Sequence, residues 1–276
     1  MPLRHKVKKS SSRDTFKNNL IVFLFCIIVV ETILLAKVYV PGFRPKIRPP
    51  ERTSLGKIAI IVDDNGYSIN DCSVLSRITA PVTVSVLPHL RYSQETASCA
   101  HHQGKEVMLH LPLEPYQNKD PYPANYTITT SMPPSLVVQK FNEALASVPY
   151  AKGVNNHMGS KATEDTALMS ILFTELKRNN LYFVDSRVTR KTICPHLASQ
   201  RHLPFAQRDV FLDNQNDRAY IEQQFRILRQ TAVKHGYAVG ICHARSLSWD
   251  ILKEQTDLMT SLGYEVVPVK SLINSL

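Results

Sequence analysis

From Lys57 onward one pattern repeats: a short, almost wholly apolar run, then a longer segment at helical spacing. The runs are KIAIIVD (57–63), VTVSVL (82–87), EVMLHL (106–111), LYFVD (181–185), DVFLD (209–213), AVGICHA (238–244) and YEVVPV (264–269), with another short strand ending near Val154. Helix-like segments fall at about 69–79, 92–103, 134–148, 164–179, 216–235 and 246–262. In 164–179, Ala167, Leu168, Ile171, Leu172, Phe173 and Leu176 recur at helical spacing after a candidate cap at Thr163. Strands that are apolar on both faces must be covered on both. The alternation therefore predicts a parallel sheet wrapped by helices. Seven or eight such units in about 220 residues fit an irregular (β/α) barrel better than the alternative, an open doubly wound sheet.

What precedes Lys57 is of another kind. Residues 1–18 form a basic tail, with Arg4, Lys6, Lys8, Lys9, Arg13 and Lys17 against Asp14. Within residues 19–40, Leu20 to Ala36 is a largely apolar run with one charge, Glu31, long enough for a tilted transmembrane helix at about 1.5 Å per residue. A cleaved signal peptide would carry an apolar run of roughly 7–15 residues and an A-x-A-like site. Here the run is longer and Ala36 stands alone, which favours an uncleaved signal anchor over a secreted periplasmic form. The basic flank keeps the N-terminus cytoplasmic. The expectation is a single pass through a bacterial inner membrane with residues 57–276 in the periplasm. Residues 41–56, PGFRPKIRPPERTSLG, read as a stiff Pro-rich linker. Of the net charge of +10, the tail and this linker hold +8, so the folded part offers no footprint for nucleic acid. The cysteines, Cys26, Cys72, Cys99, Cys194 and Cys242, show no C-x-x-C spacing. They read as small buried hydrophobes rather than zinc ligands, with disulfide pairing of the four outside the span left open.

In a parallel α/β fold, chemistry sits at the carboxyl ends of the strands. Here the first strand runs straight into Asp63-Asp64, EVMLHL ends near His110, and GVNNHMG supplies Asn155, Asn156 and His157. LYFVD ends on Asp185 with Ser186 and Arg187 behind it, VFLD on Asp213, and VGICHARS on His243 and Arg245. One such His is usually a satisfied core residue, and one such Asp a helix cap. Six or seven on one rim exceed what capping needs. An Asp with two His, leaving a position for water, suits Zn²⁺ or a similar divalent ion. Adjacent carboxylates then divide the work: one binds the ion while its neighbour acts as general base on the attacking water.

The segments IVDDNGYS, LPHLRYSQETA, EVMLHLPLEP, GVNNHMGSKAT, YFVDSRVT and HARSLSW together resemble the divergent polysaccharide deacetylase family, related to the NodB-like carbohydrate deacetylases. The resemblance covers roughly residues 56–270. It implies an irregular barrel of seven or eight strands and metal-dependent removal of N- or O-acetyl groups from a polysaccharide. It implies Asp63 as catalytic base, Asp64, His110 and His157 as metal ligands, and His243 as general acid. Asp185 and Arg187 resemble residues that orient or charge-balance the base and the acid. One departure stands out: relatives carry both metal histidines on a single H-[ST]-x-x-H stretch, which this chain lacks. A non-catalytic glycan-binding or envelope scaffold protein on the same fold is the alternative, and a hydrolase of another substrate such as a phosphoester a third. No G-x-S-x-G elbow, Walker loop or dinucleotide fingerprint is present. His101 and His102 read as solvated, Trp249 as core or sugar-stacking, and His89 and Arg91 as candidates for the rim.

Overall fold

The computed structural model describes residues 12–39, 54–117 and 120–275. Two compact units divide the chain, Met1–Glu51 and Arg52–Leu276. In the first, helix α1 spans Ser12–Tyr39. Its stretch Phe16–Leu35 is long and apolar enough to cross a membrane, about 30 Å at 1.5 Å per residue. The helix starts several residues before the expected span, because the polar segment ahead of the apolar run is also helical. Residues 1–11 of the basic tail and 40–53, most of the expected linker, lie outside the described residues.

The second unit begins packing at Ser54, slightly before the expected boundary: Leu55 N donates to Gly263 O and Lys57 N to Gly236 O. The elements follow in order: β1 (Lys57–Asn65), α2 (Asn70–Leu75), β2 (Thr83–Val86), α3 (Ser93–His102), β3 (Glu106–Leu113), α4 (Pro134–Ser147) and β4 (Ala151–Met158). Then come α5 (Thr166–Arg178), β5 (Tyr182–Asp185), α6 (Cys194–Arg201), β6 (Phe205–Gln207), β7 (Val210–Phe211), α7 (Arg218–His235), β8 (Tyr237–His243), α8 (Ser246–Leu262), β9 (Glu265–Val266) and α9 (Val269–Ile273). Every strand pairing is parallel, in the order β6-β5-β4-β3-β2-β1-β8-β7, with β9 added to β1. The segment 205–211 joins the two edges: its first half pairs with β5 and its second with β8. The result is an incomplete barrel, a curled path of eight strands with β9 as a ninth beside β1.

Strand parity decides what faces inward. On β1, Ile58, Ile60 and Val62 pack in the large cluster under the helices, while Ala59 and Ile61 belong to a smaller cluster inside the curl. The same alternation places Leu109 outside and Met108 inside on β3, and Cys242 outside and Ile241 inside on β8. Helix α9 plugs the floor of the curl. Its Val269 and Leu272 join the inner cluster, Val269 N donates to Thr83 Oγ1, and Lys270 N to Glu106 Oε1. The opposite end, at the carboxyl ends of the strands, is open.

Four details differ from the sequence reading or complete it. Helix α5 is capped by Asp165, whose Oδ1 accepts Leu168 N; Thr163 instead donates to Gly159 O. Trp249 is buried in the outer core. His101 stacks on Tyr150 at 4.0 Å, and His89 on Tyr126 at 4.5 Å. Cys72 and Cys99 form a disulfide between α2 and α3, while Cys194 and Cys242 are buried and free.

A candidate metal centre at the open end of the barrel

By parity Asp63 follows Ile61 inward, and Asp64 would turn toward the helices. The strand prevents this. The β1–β2 register shifts between Val62 and Asn65, and Asp64 adopts φ +61°. A left-handed residue in a bulge re-aims its side chain, so both carboxylates reach the same site. The two distant histidines meet because β3 and β4 pair: His110 lies opposite Asn155, and His157 opposite Pro112. Asp63 and His243 are partners across β1 and β8.

The convergent atoms form a near-equilateral triangle. His110 Nε2 and His157 Nδ1 stand 3.3 and 3.2 Å from Asp64 Oδ1, and 3.2 Å from one another. Around one ion with bonds of about 2.1 Å, neighbouring ligand atoms stand about 3.0 Å apart in an octahedron and about 3.4 Å in a tetrahedron. The observed edges fall between. Asp64 Oδ1 is buried with no aligned hydrogen bond to either ring, the situation of an acceptor shaped for a cation. The outer nitrogen of each ring faces an acceptor, as it does in metal sites. His110 Nδ1 donates to Asn155 Oδ1 at 2.8 Å, and His157 Nε2 lies 3.2 Å from Asp120 Oδ1. The hydrogen bond to Asn155 turns the inner nitrogen of His110 into an acceptor, His157 Nε2 faces Asp120 without an aligned hydrogen bond, and the three inner atoms of Asp64, His110 and His157 fit a divalent ion.

Around this triangle the contacts are specific. Asn155 Oδ1 also accepts from Ser85 Oγ at 2.6 Å, while its Nδ2 donates to Asp63 Oδ1 at 2.8 Å. One amide therefore sets both the His110 tautomer and the orientation of Asp63. Burial pushes the Asp63 carboxyl above its ordinary value, against the pull of His110. Burial would also raise Asp64, but the two imidazoles outweigh it and hold the group well below the carboxylate range. Burial disfavours a charged His157, yet Asp120 and Asp64 raise its pKa to about 9. His243 Nε2 stands 3.9 Å from Asp64 Oδ2, and its Nδ1 is 2.9 Å from Asp213 Oδ1. Asp213 Oδ2 accepts His243 N and Ser248 Oγ at 2.8 and 2.6 Å. Against burial, this carboxylate lifts the His243 pKa above its usual value.

The structure thus gathers Asp63, Asp64, His110, His157 and His243 as the sequence suggested. Asp185 is placed otherwise. Phe183 packs outside and Val184 inside, so parity sends Asp185 away from the interior. Its oxygens accept Arg187 N and Thr192 Oγ1, both at 2.7 Å, and none of its described hydrogen bonds reaches Asp63 or His243. Arg187 lines the same pocket, of about 410 Å³, without an ion pair to Asp185 among the described contacts. Asp63 is oriented by Asn155 and His243 by Asp213. Both partners had been visible as strand-end residues, but neither type announces the role. Asp120 lies on the loop after β3, where no periodicity marks it.

An Asp-His-His cluster flanked by a buried carboxylate and a carboxylate-held histidine, at the open end of a curled parallel sheet, forms a candidate metal site. The profile of the family described as divergent polysaccharide deacetylase matches residues 60–273, and the chain belongs to that family. It is 33% identical over 221 residues to the uncharacterized protein YibQ of Escherichia coli K12, covering 79% of this chain and 68% of that one. An uncharacterized Haemophilus influenzae protein is 32% identical over 189 residues, covering 68% and 67%. The crystal structure of uncharacterized protein ATU2773 from Agrobacterium tumefaciens C58 superposes with a TM-score of 0.75 at 22% identity, covering 79% of this chain and 89% of that one. The last likeness is one of fold.

Proposed function

We propose that the chain is a membrane-anchored, metal-dependent hydrolase that removes acetyl groups from an envelope polysaccharide. The observation that carries this reading is the triangle of Asp64, His110 and His157, each ring backed by an acceptor, with Asp63 and His243 on its flanks. A divalent ion held there, Zn²⁺ by the nature of the ligands, would polarise the acetyl carbonyl and acidify a water. Asp63 takes the proton of the attacking water. Its burial makes it a stronger base than an ordinary carboxylate. Asn155 and His110 both lie at Oδ1, which leaves Oδ2 to receive that proton. As the bond from the acetyl carbon to the sugar nitrogen or oxygen breaks, His243 gives its Nε2 proton to the leaving atom. Asp213 at Nδ1 keeps that ring protonated and in line. The family supports the substrate class. The apolar helix and the Cys72–Cys99 disulfide support an anchored domain in an oxidising compartment, the periplasm.

Acetate release from acetylated glycan fragments, together with elemental analysis, tests the reading. Wild-type protein should hold one divalent ion, and Asp63→Asn should keep the ion yet lose on the order of 10²–10⁴ in rate. A fully active Asp63→Asn protein, or a wild type without stoichiometric metal, overturns it.

A further inference from the structure

The pocket carries a second set of charges that the hydrolytic scheme does not use. We propose that it selects glycans bearing an anionic group, a carboxylate or a phosphate, close to the acetyl group. The reaction rests on the deacetylase reading above; the binding does not. Three arginines, Arg187, Arg208 and Arg245, line the pocket beside the metal cluster. The ring of strands sorts the lining by charge. The arc β1–β4 brings Asp63, Asp64, His110 and His157, with Asp120 on the loop after β3. The arc β5–β8 brings the three arginines and His243.

Among the described residues, none of the three makes a direct ion pair with a carboxylate; the Lys and Arg ion pairs are Lys161–Glu114, Arg178–Glu175, Arg218 with Glu222 and Glu254, and Lys253–Asp257. Arg208 donates through Nε to Ser186 O at 2.7 Å and through one Nη to Arg187 O at 2.9 Å. That leaves part of its five-donor fork unspent. Its guanidinium lies 4.9 Å over the Phe211 ring, which also meets His243 edge-on at 5.1 Å. Burial and the neighbouring charge of Arg187 make the charged form of Arg208 harder to hold, and the attraction of Asp185, Asp63 and Asp209 offsets this only in part. Gathering cations on one wall with no carboxylate in direct contact costs free energy, and an anion offsets that cost.

Arg187 adds an independent sign. It sits at φ +53°, a conformation that favours glycine or asparagine rather than arginine. The buried Asp185 pins that turn by accepting both Arg187 N and Thr192 Oγ1. Strain of this kind persists where the surroundings impose it, and it clusters at functional sites. Asp185 is thereby a positioning residue for Arg187. A planar guanidinium matches carboxylate and phosphate oxygens two at a time, whereas a neutral acetylated sugar leaves the forks without a charged partner.

The test measures binding, apart from catalysis. The full-length chain in detergent, with chelator present, is titrated with glucose, glucuronate and glucose 6-phosphate by calorimetry. At least one anionic sugar should bind about tenfold or more tighter than glucose, the scale of one charge-assisted hydrogen bond. Tighter glucuronate assigns a carboxylate; tighter glucose 6-phosphate assigns a phosphate. Arg208→Gln and Arg245→Gln should reduce the preference. Arg187→Gly should do so while keeping or raising the thermal midpoint, since glycine suits that backbone. Equal binding of the three sugars overturns the proposal, as does a preference that survives all three substitutions. A preference that stands in a protein releasing no acetate would sink the deacetylase reading and leave anion selection intact.

Discussion

In the proposed mechanism, His243 depends on Asp213 for its usefulness as an acid. A general acid works below its pKa and fails as pH rises through it. On the proposed mechanism, the raised pKa of His243 should extend activity to higher pH, while the raised pKa of Asp63 should set where activity falls on acidification. Asp213→Asn removes the charge that lifts His243 and leaves the burial that lowers it. The alkaline limb of the pH–rate profile for acetate release should move to lower pH, whereas superposable profiles would deny the dyad its role. Asp120 acts on the other ring. Its Oδ1 accepts Tyr122 N at 2.9 Å and faces His157 Nε2, so it is itself fixed in place. Asp120→Asn should weaken divalent-metal affinity by about 10–100-fold, read by competition against a chelator. The five central residues were legible because each is an ionisable group at or just beyond the end of a strand-like run. Asn155 carries no charge and Asp120 sits in a loop, so their parts emerge only when β3 and β4 are paired and the loop is in place.

The strands show where periodicity speaks and where it fails. Long apolar runs announced β1, β3 and β8 to within a few residues. Strand β6, three residues of FAQ, is too short for a pattern, and α6 opens on Cys-Pro with mixed polarity. Helix α9 was concealed behind the Val-Val-Pro-Val run, which read as a longer final strand; the chain needs it as a floor. Parity also explains the misplaced role of Asp185: in YFVD, the residue after an inward Val184 faces outward. Gly153 on β4 tests the interior directly. A Cβ there would stand inside the Tyr182 ring, whose hydroxyl donates to Glu106 Oε1 at 2.7 Å. Gly153→Ala should cost about 1–3 kcal/mol in denaturant unfolding, as overpacking does, and an unchanged midpoint would mean that the β4–β5 contact yields easily.

At the scale of the whole molecule, the cysteines report the compartment. With Cys72 and Cys99 paired and the other three free, denatured protein taken from cells without reductant should take up three alkylating groups, and five after reduction. Five in both cases would place the domain in a reducing environment and count against the periplasmic reading. The floor has a mechanical consequence as well. Any pull transmitted through the segment before Ser54 enters at the amides of Leu55 and Lys57, at the end of β1 remote from Asp63 and Asp64. β1 is held along its length by seven register pairs with β8 on one side and by β2 and β9 on the other. A load along the strand is therefore shared in shear across those ladders before it reaches the bulge that aims the two carboxylates, so the domain, if anchored as proposed, could be tugged without the geometry of the site giving way.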